Sequence, residues 1–144
     1  MRITSPAFED EADIPAQYTC DGADISPPLQ IGGLPTEAAS LVLVMDDPDA
    51  PVGTWDHWVA YDIAPTTEIP EAVEELGTSG TNSWESTGYG GPCPPSGTHR
   101  YVFQLFALDT ELGWEPGMDK TSVLEAIHDH VLAEASLLGF YTRE

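Results

Sequence analysis

The sequence predicts a mainly β domain, arranged as a sandwich, with one or two helices of which the clear one lies near the C-terminus. Three observations carry this. Leu41-Val42-Leu43-Val44-Met45 is an unbroken apolar run of strand length, as expected of a strand covered on both faces. Trp55–Ile63 and His99–Leu108 are further strand-length runs rich in aromatic and β-branched residues. Clusters of Gly, Pro, Asp and Ser separate these runs, the spacing of a sandwich and not of alternating helices and strands.

The chain of 144 residues and 15.5 kDa fits one domain, residues 1–144. Its 41% hydrophobic and 9% aromatic content can fill a core without staples. Against 25 acids stand only four Lys and Arg, a net charge of -21. Disordered acidic chains lack this apolar content. Self-repulsion at such a charge destabilises a compact state unless salt screens it, so a halophilic setting is expected. The same balance excludes nucleic acid, for want of a basic stripe, and argues against stable membrane association. The N-terminal Met1-Arg2-Ile3-Thr4-Ser5-Pro6 has no apolar signal core and no span reaches transmembrane length, so a cytoplasmic location is expected. Cys20 and Cys93 fit no metal spacing, and in a reducing cytosol they are expected as free thiols.

In chain order, residues 1–30 read as proline-punctuated irregular structure with one or two short strands and the apolar anchors Phe8 and Ile14. Ser26–Ile31 is a short extended run, stopped at Gly32-Gly33-Leu34-Pro35. In Trp55–Ile63 the two-residue period predicts that Trp55, His57, Val59, Tyr61 and Ile63 share one face. Residues 64–98 are the least regular and hold Tyr89-Gly90-Gly91-Pro92-Cys93-Pro94-Pro95, a loop long enough to be functional. In the following run His99, Tyr101, Phe103 and Leu105 share a face. From Thr121 to Leu138 the apolar spacing becomes helical, with Ser122 and Glu125 as a capping box and Gly139 as the stop. A short terminal strand follows from Phe140.

The chemistry collects at strand ends. Asp47 and Asp49 leave the first core strand, His57 opens the second, and His99 and Tyr101 open the third. If these strands are neighbours, their polar groups meet at one rim of the sheet, with Trp55 and Tyr89 as aromatic walls. Two histidines and a carboxylate suggest a metal, but the spacing matches no strong motif, so neither a metal nor a cofactor is expected. Cys93 is a poor nucleophile, with no cation or helix start beside it to lower its pKa.

At these residues a family resemblance emerges. Asp47-Pro48-Asp49-Ala50-Pro51 with His57-Trp58, and Gly91-Pro92-Cys93-Pro94-Pro95-Ser96-Gly97-Thr98-His99-Arg100-Tyr101, resemble the phosphatidylethanolamine-binding protein family. The likeness is strongest to its bacterial and archaeal Raf kinase inhibitor-like branch and runs over nearly the whole chain. It implies a sandwich of two antiparallel sheets with an anion pocket at one end. The matching pocket positions are Asp47, His57, Pro95, His99 and Tyr101, with Trp55 and Gly91 at the wall, and the Ala50–Pro51 peptide is expected to be cis. The function expected is non-enzymatic: binding of a small phosphorylated or other anionic ligand, such as a phosphoethanolamine-like group, with modulation of a kinase or protease, by a monomer or homodimer. The alternatives are a hydrolase or metal-assisted enzyme using Asp47, His57 and His99, and an interaction protein with a vestigial pocket.

Overall fold

Strand β4, Ser40–Asp47, lies in the middle of the molecule, and Leu41 to Met45 are completely covered. Its side chains alternate between two cores. Leu41, Leu43 and Met45 face the interior between the sheets, whereas Val42 and Val44 face a helix on the outer side. Burying each such side chain contributes about 1.5–3 kcal/mol, which is why the run has no polar position until its end.

The computed structural model describes all residues, Met1–Glu144. The other strands are β1 (Arg2–Thr4), β2 (Ala12–Asp13), β3 (Leu29–Gly32), β5 (Trp55–Ile63), β6 (Glu68–Ile69), β7 (Thr78–Ser79), β8 (Gly97–Leu108) and β9 (Val131–Arg143); the helix α1 is Lys120–Ile127. They form a three-stranded sheet, β1-β3-β6, and a six-stranded sheet, β2-β9-β8-β4-β5-β7. Every pairing is antiparallel except β2 with β9. Ile3, Leu29, Ile31 and Ile69 of the small sheet pack against Leu43, Phe103 and Leu105 of the large one, with Phe8 and Ile14 plugging the same core. On the other side of the large sheet, Val123 and Ile127 of α1 pack on Val42, Val44, Val59 and Tyr61. No helix is long and apolar enough to cross a membrane.

Three expectations are corrected here. The first is the single face of β5. Met45 pairs with Trp58 but Asp46 pairs with Asp56, so His57 is an extra residue, a β-bulge. A second irregularity lies between Ala60 and Ile63, where Asp62 has a φ of 50°. The Asp62 carboxylate repays that strain by accepting the backbone N–H groups of Leu112 (2.6 Å) and Gly113 (2.8 Å). Each bulge inverts the alternation, so Val59 and Tyr61 face α1 while His57, Trp58, Ala60 and Ile63 face inward.

The second is the length of the helix. It ends at Ile127, and residues 131–143 are strand β9, paired with β8 along its length. A long β8 without that neighbour would expose a row of unpaired N–H and C=O groups. Gly139 is not a helix stop. It sits inside β9 where Ile14 and Phe8 lie against the backbone, and any Cβ there would collide with Ile14. The helix start also differs: Asp119 is the cap, accepting Ser122 N at 2.9 Å.

The third is the cysteines. Cys20 and Cys93 form a disulfide, with Cα atoms 5.5 Å apart. The loop around Cys93 folds back onto the turn at Cys20, where Cys20 N donates to Pro92 O at 3.1 Å, so two cysteines distant in sequence meet.

Candidate functional site

Asp47 ends β4 and pairs with Trp55, the first residue of β5, so the hairpin turn between them stands at the rim of the large sheet. The turn is closed by Gly53 N donating to Ala50 O at 3.1 Å. Pro51 then occupies its second position, which a trans proline fits, whereas a cis proline belongs at the third. The expectation of a cis Ala50–Pro51 bond is accordingly overturned: the chain has no cis peptide. The turn is tied to β8 by Arg100. Its backbone N–H and Nε donate to Asp49 Oδ2, both at 2.9 Å, and its terminal guanidinium nitrogen reaches Asp49 Oδ1 at 2.8 Å. Those bonds hold the Asp49 carboxyl down at about 2.

Asp47 spends both carboxylate oxygens. Oδ1 accepts Asp49 N at 2.8 Å, and Oδ2 accepts the Nδ1–H of His99 at 2.6 Å. Asp47 and His99 are both buried. His57, turned inward by its bulge, donates Nδ1–H to Gly90 O at 2.7 Å. Its ring meets Trp84 edge-on at 4.9 Å and Tyr101 at 5.3 Å. Burial pushes its pKa below the usual 6.5, so the ring is neutral at neutral pH. Both histidines therefore commit Nδ1 to the protein and keep Nε2 for whatever enters the cavity that both rings line.

That cavity has a volume of about 320 Å³. Of the expected site residues, Asp47, Trp55, His57, Pro95 and His99 line it, together with Pro51. Tyr101 and Gly91 do not. Tyr101 lies fully buried beneath the two imidazoles, stacked on His99 at 6.5 Å. Its hydroxyl passes near Asp47 and the Cys93 backbone without making a hydrogen bond. Burial, then the Asp47 charge, raises its pKa and keeps it protonated. Gly91 shapes the wall from behind: its N–H donates to Asp24 Oδ1 at 2.8 Å, and a Cβ there would strike Tyr18 O and Asp24. Tyr89 is partly buried against the core and packs on Trp58.

The wall residue not anticipated is Trp84. Its turn is built by the buried side chain of Asn82, whose Oδ1 accepts Trp84 N (3.0 Å) and Ser86 N (3.2 Å) and whose Nδ2 donates to Gly88 O (3.2 Å). Trp84 is 44% exposed and meets Trp55 edge-on at 5.6 Å. A tryptophan set among Asn82, Ser83, Glu85 and Ser86, in a segment with few other apolar residues, was the available signal. No three His, Cys, Asp or Glu side chains are arranged to hold a metal.

The family model for phosphatidylethanolamine-binding proteins matches residues 4–142. This chain belongs to the phosphatidylethanolamine-binding protein family. Within it, a UPF0098 protein of Methanothermobacter thermautotrophicus is 51% identical, the match spanning 99% of each chain. A crystal structure of a phosphatidylethanolamine-binding protein homologue from Chlamydia trachomatis superposes with a TM-score of 0.96 at 40% identity, covering 99% of this chain and 97% of that one. YbcL of E. coli, described as a member of the mammalian family, superposes with a TM-score of 0.91 at 25% identity over 99% of this chain and 98% of its own.

Proposed function

We propose that this family member is a non-enzymatic binding protein that takes a small oxyanion, a phosphate or phosphoethanolamine-like group, between His57 and His99, and that it modulates a partner such as a kinase or protease. The observation that carries this is the pair of imidazole Nε2 positions on one small cavity, each ring fixed by a bond at Nδ1. The volume suits a headgroup and not two acyl chains.

Charge sets the terms of binding. Asp47 is committed to His99, and Arg100 to Asp49. An anion therefore enters either with its own proton, given to a neutral Nε2, or with an imidazolium formed as it binds. Proton and ligand are taken up together at the neutral His57 ring, so affinity rises as pH falls. No good nucleophile lines the cavity, since Cys93 is bonded to Cys20. A second reading, a hydrolase, draws on the 2.6 Å Asp47–His99 pair, which orients His99 as a general base would be oriented. A cytoplasmic location stays part of the proposal, although the Cys20–Cys93 bond is more typical of oxidising compartments.

Titration with inorganic phosphate and with phosphoethanolamine, followed by NMR of the His57 and His99 rings, tests the proposal. Saturable shifts of both rings without turnover of a phosphomonoester support it. Unmoved rings at millimolar ligand refute it, and turnover abolished by His99→Asn establishes the hydrolase.

A further inference from the structure

On the face of the large sheet away from the cavity, Asp46 and Asp56 stand directly opposite each other, beside the His57 bulge. Like charges so placed drive a strand pair apart. Lys120, the only lysine of the chain and the first residue of α1, reaches between them. Its Nζ lies 3.0 Å from Asp46 Oδ2 and 2.8 Å from Asp56 Oδ1. The three side chains are only 16%, 14% and 21% exposed, so salt screens this cluster far less than it screens the surface acids.

We propose that Lys120 is a positioning residue for the cavity, holding the β4–β5 register at the bulge that turns His57 inward. Asp46 precedes Asp47 and Asp56 precedes His57, so each anchored carboxylate is one peptide away from a group at the cavity. The start of α1 is itself held down: Thr81 N donates to Met118 O at 2.9 Å, Gly117 N to Ser79 O at 2.9 Å, and Thr81 Oγ1 to Gly117 O at 2.7 Å. Thr81 leads directly into Asn82, which sets Trp84 on the cavity. One helix start thus braces the floor and the wall of the cavity from behind. The inference rests on reading that cavity as a binding site.

The test compares Lys120→Met, Lys120→Arg and the milder Asp56→Asn, with inorganic phosphate as the probe. Two quantities are read beside the melting temperature: the phosphate Kd and the hydrogen-bonded Nδ1–H proton resonance of His57. Lys120→Met is expected to weaken phosphate about fivefold or more and to shift or abolish that resonance, with Lys120→Arg restoring both to within about twofold. Asp56→Asn, which leaves the Lys120–Asp46 pair in place, is expected to weaken phosphate about twofold and to move the same resonance. Variants that melt earlier but keep the resonance and the Kd overturn the inference. Absence of phosphate binding by the unaltered protein refutes the binding function instead, and the His57 resonance alone then decides whether Lys120 positions it.

Discussion

His99 gives its Nδ1–H to Asp47 Oδ2 at 2.6 Å, joining the start of β8 to the end of β4 in a buried, charge-assisted bond. Asp47→Asn keeps the shape but removes the charge that holds the imidazole. We expect a stability loss of about 1.5–3 kcal/mol in urea denaturation, the range for hydrogen bonds to charged groups. Phosphate affinity should fall about tenfold, the lower end of the loss found when the outer partner of a metal-ligating histidine is removed. Unchanged affinity would show that His99 needs no orienting.

Tyr101 makes the opposite prediction for stability. Its hydroxyl is buried and unpaired, and such a group costs about 1–3 kcal/mol. Tyr101→Phe should therefore leave the ligand-free protein as stable as before or more so, by calorimetry. A marked drop in melting temperature would mean that the hydroxyl has a partner in the free protein.

Acid should destabilise the protein in two stages. Burial depresses the pKa of His57, so the unfolded chain binds its proton first, and stability present above 6.5 is lost as pH falls. Asp49, held at about 2 by Arg100, adds stability present above its ordinary 3.8 and lost as pH falls towards 2. Arg100→Gln should shrink the lower stage, leaving the part that Asp119, lowered by its bond from Ser122 N, contributes, and should leave the upper one, as seen in urea midpoints measured across pH. Ligand affinity runs the other way in the upper range, strengthening while the free protein weakens.

Salt acts on the surface. With a net charge of -21 and Arg100 and Lys120 already paired, repulsion among exposed carboxylates is the main electrostatic burden. The melting temperature should climb from low salt to molar salt. A flat or falling curve would refute the halophilic expectation.

The parts of this fold that follow strict alternation were legible. Leu41–Met45 and the inward face His99, Tyr101, Phe103 and Leu105 are as their period implies. His57 was placed at the cavity for the right reason only in part, because the bulge that turns it inward leaves no mark in the period of β5. Residues 131–138 misled because the inward positions of β9 include Ala133 and Ala135, small enough to mute the alternation, while Leu132 and Leu138 on the other face complete a helical spacing. The disulfide and the trans Pro51 depend on how two loops close, which local composition does not encode. The placing of Lys120 between Asp46 and Asp56 is a long-range contact that no local pattern encodes.

A crystal structure grown with phosphoethanolamine at high salt puts the oxyanion reading to its most direct test. The phosphate group is expected within hydrogen-bonding distance of Nε2 of both His57 and His99, with Asp47 still bonded to His99. A cavity that stays empty at saturating ligand, or a phosphate group bound away from both rings, would contradict it.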